Sequence, residues 1–313
     1  MLRLLLRRLL LLIPTILVVF TVVFFLVRVA PGDPAIAILG QHATEEVLET
    51  LREEMGLKAP LWLQYLRFLS NLVRGDLGVS MLNNIPVKDQ LLFALPYTLE
   101  LTISSMIVGV LLGLPLGILT ALRRNRWADY VGRIISLTGI SIPSFYLGIL
   151  LIFVFSVKLG LFPVMGTGRS GNLLGRLHHL VLPAFSMGLI LTSYIMRVGR
   201  SAMLNVLNED YIRTAKAKGL RNGIVVYKHA LLNALIPIIS VTSIYFIVIL
   251  GASVMVEIVF SRPGLGKLMV LAMKQRDYVM LQSVMLVYAA LAIVINLATD
   301  LVYGWVDPRI KYK

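Results

Sequence analysis

Six long apolar runs, at roughly residues 9–27, 98–122, 134–157, 181–199, 234–256 and 283–303, constrain this chain more than any other feature. A helix needs about 20 apolar residues to cross the hydrocarbon of a bilayer. Each run is of that order, and none shows the period-2 alternation of a transmembrane strand. The fourth is the most diluted, by Ser186, Thr192, Ser193 and Arg197. Composition points the same way. Hydrophobic residues make up 58% of the 313 and charged residues 15%, with a mean hydropathy of +0.85. A soluble domain carries about a quarter charged residues, so this chain lacks the polar surface to meet water on all sides. The sequence therefore predicts an all-α membrane protein of six transmembrane helices.

The net charge is +14. In a soluble protein that excess would suggest nucleic acid, but here the cations sit mostly between apolar runs, where they set orientation; no nucleic-acid partner is expected. There is no Cys, which excludes disulfides, thiol catalysis, Cys-ligated zinc and iron–sulfur clusters. The first run, preceded by Arg3, Arg7 and Arg8, could pass for a signal peptide. It is too long, however, and Arg28-Val29-Ala30-Pro31 is a poor cleavage site, so an uncleaved anchor is expected. Basic residues crowd the start, the loop after span two (Arg123, Arg124, Arg126, Arg133), the loop after span four (Arg200, Arg213, Lys216, Lys218, Arg221, Lys228) and the tail (Arg309, Lys311, Lys313). Short basic loops stay in the cytoplasm, so both termini are expected there. The contest is closest at 258–282, where Arg262, Lys267, Lys274 and Arg276 would be external.

The layout that follows is a tail and first helix (1–27), an external helical insertion (28–97), a five-helix core (98–303) and a cytoplasmic tail (304–313). Within the insertion, Thr44 is placed to cap a short helix with Glu45 and Glu46 in its first turn, and Met55-Gly56-Leu57 reads as its end. Residues 62–73 read as an amphipathic helix at the interface, carrying Trp62, Tyr65 and Phe68.

The longest cytoplasmic loop, 200–233, carries the most information. Asn208 is a suitable N-cap, and Glu209 and Asp210 suit the positive end of a helix dipole. Lys216 and Lys218 suit the negative end, and Gly219 can stop the helix in a left-handed cap. Leu207, Tyr211, Thr214 or Ala215, and Lys218 share a face, while Ala215 and Ala217 would allow close approach of another backbone. A second helix should start at Asn222 or Gly223 and run through His229 and Asn233 toward Pro237. Such a helix–Gly–helix can be a handle for another protein or a solvated basic loop that fixes topology; spacing alone favours the loop.

Other polar residues near the spans give no enzyme. Glu100, Glu257, Asn296 and Asp300 lie in or beside spans, where structural or assembly roles are favoured over a proton relay. No pair has the spacing of a general acid and base, His178-His179 reads as an interfacial pair, and no catalytic constellation appears. There is no G-x-x-x-x-G-K-[ST] loop, so no nucleotide or other cofactor is expected on this chain. Gly109, Gly113 and Gly117 form a small-residue face for helix packing, against a partner or within the chain. Pro263, Gly264 and Gly266 suggest an external turn or re-entrant piece.

The loop segment resembles the cytoplasmic signature of ABC importer membrane subunits, a small pair (Thr214, Ala215) followed four residues later by Gly219. Arg213, in place of the Glu common in that family, and the distant Pro237 resemble its dipeptide, oligopeptide and nickel branch. Further segments resemble that branch in order along nearly the whole chain. They are Ala30-Pro31-Gly32-Asp33-Pro34, Arg74-Gly75-Asp76-Leu77-Gly78-Val79-Ser80, Thr98-Leu99-Glu100-Leu101, Ser141-Ile142-Pro143-Ser144-Phe145, Phe260-Ser261-Arg262-Pro263-Gly264-Leu265-Gly266, Arg276-Asp277-Tyr278 and Asp307-Pro308-Arg309-Ile310. Val279 stands where the branch has Pro.

The resemblance implies a permease subunit that forms half of a pathway for di- or oligopeptides in a bacterial or archaeal plasma (inner) membrane. Its partners would be a second homologous permease, two cytoplasmic ATPase subunits that bind ATP and Mg, an external solute-binding protein and membrane lipid. It makes Glu209, Asp210, Tyr211, Ile212, Arg213, Thr214, Ala215, Lys216, Ala217, Lys218, Gly219 and Leu220 the coupling helix between spans four and five. The alternatives are a nickel or metal-chelate permease and, in another class, an autonomous ion-coupled carrier. A carrier would call for inverted repeats and midplane charge, and neither is clear in the sequence.

Overall fold

The computed structural model describes residues 2–29, 34–39, 43–168 and 171–306, and no strand occurs among them. The helices are α1 (Leu2–Val29), α2 (Pro34–Leu39), α3 (Glu45–Glu54), α4 (Leu61–Val73), α5 (Val87–Leu122), α6 (Trp127–Ser141), α7 (Ser144–Leu151), α8 (Leu173–Leu207), α9 (Asp210–Ala217), α10 (Asn222–Ile224), α11 (Leu231–Val259), α12 (Leu265–Gln275) and α13 (Tyr278–Val306). Wider π-helical turns extend α7 (Ile152–Lys158) and join α10 to α11 (Val225–Ala230). Ala30 to Asp33, the Asp307-Pro308-Arg309-Ile310 tail and the side chains of Arg3, Arg7, Arg8 and Asp300 lie outside the described residues.

Among the described residues, four helical stretches are long and apolar enough to cross a membrane: Val87–Leu122, Leu173–Leu207, Asn222–Val259 and Tyr278–Thr299. They take up the second, fourth, fifth and sixth apolar runs. The first run lies in α1, whose apolar stretch with described side chains is Ile13–Arg28. The third run departs from expectation. Residues 134–157 do not form one straight span, because α6 and α7 meet at a bend of 103°. Ile142 precedes Pro143, and the proline ring pushes it out of helical geometry. It takes φ −94, ψ 120, and the helix restarts at Ser144.

The chain divides into two compact units, residues 1–96 with 263–294 and residues 97–262 with 295–313. In the first, Phe24 of α1 is fully buried and packs edge-on to Tyr65 and stacked on Phe68 of α4, with ring centroids 5.3 and 5.6 Å apart. Thr21 and the Tyr65 hydroxyl are 2.6 Å apart across the same contact. The expected end of α3 is present: Gly56 takes φ +67, with Gly56 N donating to Glu53 O and Leu57 N to Arg52 O. Thr44 holds the N-cap position, but its backbone carbonyl rather than its side chain accepts the cap bonds. A second cluster packs Val87, Leu91 and Ala94 of α5 with Leu265, Ala272, Met280 and Val284 of α12 and α13.

In the second unit α8 is the central helix. A Cβ on Gly109 of α5 would lie 2.6 Å from the Leu191 side chain. One on Gly113 would lie 2.9 Å from the Thr192 carbonyl, and one on Gly117 3.1 Å from the Met196 carbonyl. Gly188 of α8 returns the contact, 2.8 Å from the Ser105 carbonyl. The small-residue face is thus used inside the chain, bringing two backbones together where only dispersion drives packing in lipid. Adding a side chain there forces overpacking, which costs about 1–3 kcal/mol. Gly113→Val should lower the thermal stability of the detergent-solubilised protein by that much. Gly251→Ala, in open space, should leave it unchanged; equal melting of the two variants would remove the contact's importance.

Candidate functional site

The segment from Asn208 to Asn233 is built on the end of α8. Asn208 is not the N-cap of the next helix. It caps the C-terminus of α8, and Glu209 takes the N-cap position without a side-chain bond. The Glu209 carbonyl accepts from Ile212 N and Arg213 N at 3.1 and 3.3 Å, which starts α9 one residue later. At the other end Lys218 N donates to Thr214 O, Gly219 N to Lys216 O and Leu220 N to Ala215 O. Gly219 sits at φ +76, the left-handed stop its type suggests. The following helix begins at Asn222 and continues through His229 and Asn233 into α11.

Only two side chains of Glu209 to Leu220 point inward. Ile212 is fully buried and Ala215 is 7% exposed, in a cluster with Ile118, Ala121, Ala202, Met203, Val225, Val226, Ala230 and Ala234. Ala215 therefore gives close approach to this chain's own backbone, not to an outside one. Glu209, Asp210, Tyr211, Arg213, Thr214, Lys216, Ala217, Lys218, Gly219 and Leu220 are exposed. The Tyr211 hydroxyl accepts from Asn233 Nδ2 at 2.8 Å, tying α9 to α11. Asp210 and Arg213 lie 3.4 Å apart, but both are open to solvent, so that pair contributes at most about 1 kcal/mol. The result is a short rigid rod, anchored on two apolar residues, with the rest of its surface free to meet another body.

A charge cluster supports this rod, and sequence reasoning missed it. Asp129 in the first turn of α6 is fully buried. It accepts from Arg200 of α8 in two parallel bonds, Nε–Oδ1 2.7 Å and Nη2–Oδ2 2.8 Å, from Arg133 Nη2 at 2.9 Å and from Asn125 N at 3.0 Å. The one signal was a lone acid inside a basic loop. Arg200 stands seven residues before the end of α8, so the pair fixes the helix that carries α9.

The opposite ends of helices in the same unit are pinned in a similar way. Glu257 is fully buried and accepts from Thr98 Oγ1 at 2.7 Å. A turn after α11 has Ser261 at φ +50, with Arg262 N donating to Glu257 O and Ser261 N to Ile258 O. That turn aims Arg262, 1% exposed, at Glu100, with Nη2 at 2.9 Å. Arg176 approaches the other Glu100 oxygen at 3.5 Å. Burial pushes the Arg262 guanidinium below its ordinary pKa and Glu100 pulls it back; it stays charged. Glu100 and Glu257 thus sit in fixed pairings, the arrangement of a structural brace. Asn296 is exposed. His178 Nε2 and His179 Nδ1 each engage a backbone carbonyl, of Leu161 and Gly175. Gly264, following Pro263, caps the N-terminus of α12, and Gly266 is buried in its first turn.

Comparison with known proteins follows from this architecture. Two family models match, the binding-protein-dependent transport system inner membrane component over residues 113–312 and its N-terminal companion over residues 1–102. The chain is 42% identical, over all of its 313 residues and all of the relative, to the glutathione transport system permease protein GsiC of Escherichia coli O6:H1. The GsiC protein of Salmonella paratyphi A matches at the same identity and coverage. Among solved structures, a chain of the inward-facing MetNI methionine ABC transporter aligns with TM-score 0.56 at 22% identity, covering 69% of this chain and 96% of that one. This last likeness concerns the fold alone.

Breaking a buried ion pair by removing one partner costs about 3–5 kcal/mol. Because Arg200 and Arg133 still reach solvent, Asp129→Asn should destabilise toward the low end of that range. Asp129→Asn combined with Arg200→Gln should recover part of the loss in a thermal double-mutant cycle. A strictly additive cycle would mean the two side chains do not act as a pair. Asp210→Asn, in the exposed pair, should shift stability by less than about 0.5 kcal/mol.

Proposed function

The chain belongs to the family of binding-protein-dependent transport system inner membrane components, and from that premise we propose that it is the half-pathway of an ATP-driven importer for short peptides. As a member of the family it is a multi-pass ABC permease subunit of the inner membrane. Identity to GsiC over the full length supports a peptide-type substrate, with glutathione as the specific case. The partners we infer are a second permease of the same family, two cytoplasmic ATPase subunits that hold ATP and Mg, and an external solute-binding protein. The chain itself would carry no catalytic site and no cofactor. Both termini and α9 would lie in the cytoplasm, and residues 28–97 outside, as the basic loops suggest.

The observation that carries this reading is α9. A ligand changes a conformation only if it binds two states differently, and here that ligand, ATP, would act on another subunit. The motion must then reach the spans through a solid element. The α9 rod is held to its own core by Ile212 and Ala215 and fixed to α8 by a two-residue junction. Its polar surface from Glu209 to Leu220 is open for a motor subunit. The left-handed Gly219 sets the angle between the rod and the helix that returns to the membrane.

A Cβ at Gly219 meets nothing within 4 Å, so a substitution there acts through backbone strain alone. A β-branched residue resists the left-handed region, whereas Asn tolerates it. In the complex reconstituted with its ATPases and binding protein, Gly219→Val should lower transport and binding-protein-stimulated ATP hydrolysis together, by about fivefold or more, and Gly219→Asn should keep most of both. If Gly219→Val assembles and transports at the wild-type rate, α9 is not the coupling element.

A further inference from the structure

Arg197 lies within the fourth apolar run, on α8, and among the described residues it has no hydrogen bond or ion pair. Its guanidinium carbon sits over the Tyr194 ring, 5.1 Å from the centroid. Tyr194 in turn stacks on Tyr245 of α11, with centroids 4.0 Å apart and planes 30° apart. Tyr245 is the central residue of the 29 in α11, and Arg197 stands two residues before the end of the fourth apolar run. Arg197 follows Tyr194 by three residues, about 4.5 Å along the axis. Side chains on a helix lean toward its N-terminus, and this one leans back over Tyr194. A cation that only needed water would extend the other way, toward the end of α8.

Much of the rest of α8 is engaged by its neighbours. Leu191 and Thr192 meet the glycines of α5, the Ser193 carbonyl accepts from Ser136 of α6, and Arg200 holds Asp129. Arg197 remains exposed, beside half-buried Tyr194 and Tyr245. An arginine facing lipid within a span is unfavourable, and intramembrane cations instead face a bundle interior or a water-filled route. A guanidinium lying over an aromatic ring leaves its in-plane N–H groups free. Their fork matches the two oxygens of a carboxylate.

We propose that Arg197, seated on the Tyr194–Tyr245 platform, is a transient binding site for a carboxylate of the substrate in transit. The proposal rests on the reading of the chain as a peptide permease. Peptides end in a carboxylate, and glutathione carries two. The platform gives the neighbouring peptide unit a flat apolar wall, and an exposed single cation holds weakly enough to let the substrate leave.

The test uses the whole reconstituted transporter with its binding protein and labelled glutathione. Arg197→Gln should lower the maximal uptake rate about tenfold, the size expected from losing one charge-assisted hydrogen-bonding group. ATP hydrolysis stimulated by the loaded binding protein should persist, so that transport per ATP falls, and Arg197→Lys should restore most of the uptake. Should Arg197→Gln not assemble, the unmodified complex is compared on glutathione and its diamide, in which both carboxylates are amidated, and transport per ATP should be lower for the amide. Wild-type uptake by Arg197→Gln, or equal transport per ATP for acid and amide, overturns the proposal. So does a dissociated Arg197→Gln complex alongside equal handling of acid and amide, which would make Arg197 a subunit contact. Absence of glutathione uptake by the wild-type complex would instead overturn the peptide-permease reading itself.

Discussion

The approach of α5 to α8 is the constraint on which the larger unit depends. In lipid, apolar side chains gain nothing by leaving the solvent, so two helices stay together through close dispersion contact and polar bonds. Gly109, Gly113 and Gly117 remove every side chain from one stripe of α5, and Gly188 does the same on α8. Gly139 of α6 and Gly148 of α7 continue the device, against Ser193 and Phe260. Small residues let α5 and α6 approach α8 this closely.

Such dry contacts specify distance but hold register weakly, and polar groups supply the register at both ends. At one end Asp129 binds Arg200 with two parallel bonds; at the other Glu100 binds Arg262 and Glu257 accepts from Thr98. Asp129, Glu257 and Arg262 are buried with partners, so sliding α6 against α8 or α5 against α11 would strand a charge. Small residues along the middle and ion pairs at the ends together favour motion as rigid pieces over gradual deformation.

The sequence made the helical class legible because its apolar runs exceed what any soluble core requires. It also disclosed the end of α3, the stop at Gly219 and the start of the helix at Asn222, since each depends on a local residue preference. The break between α6 and α7 was harder to see. Hydropathy is blind to direction, and only the Ile142-Pro143 step marks it. Asn208 misled because α8 runs unbroken beyond its apolar run, and the residue that would cap a new helix instead closes the old one. Asp129 and Asn233 were invisible for a different reason. Their partners Arg200 and Tyr211 lie 71 and 22 residues away, and single-sequence spacing says nothing about such pairs.

The placement of Ala215 changes how α9 is joined to the rest of its unit. Small residues in this segment suggested a surface onto which a foreign backbone could close. Ala215 instead lies against the wide turn Val225–Ala230, whose Val225, Val226 and Ala230 are buried beneath α9. A π turn presents an extra residue to one face, and here that face receives Ile212 and Ala215. The rod therefore belongs mechanically to the start of α11 as well as to the end of α8, with the Tyr211–Asn233 bond across the same junction. A force applied to its outer surface would reach both helices at once, and these are the two that carry Tyr194, Arg197 and Tyr245.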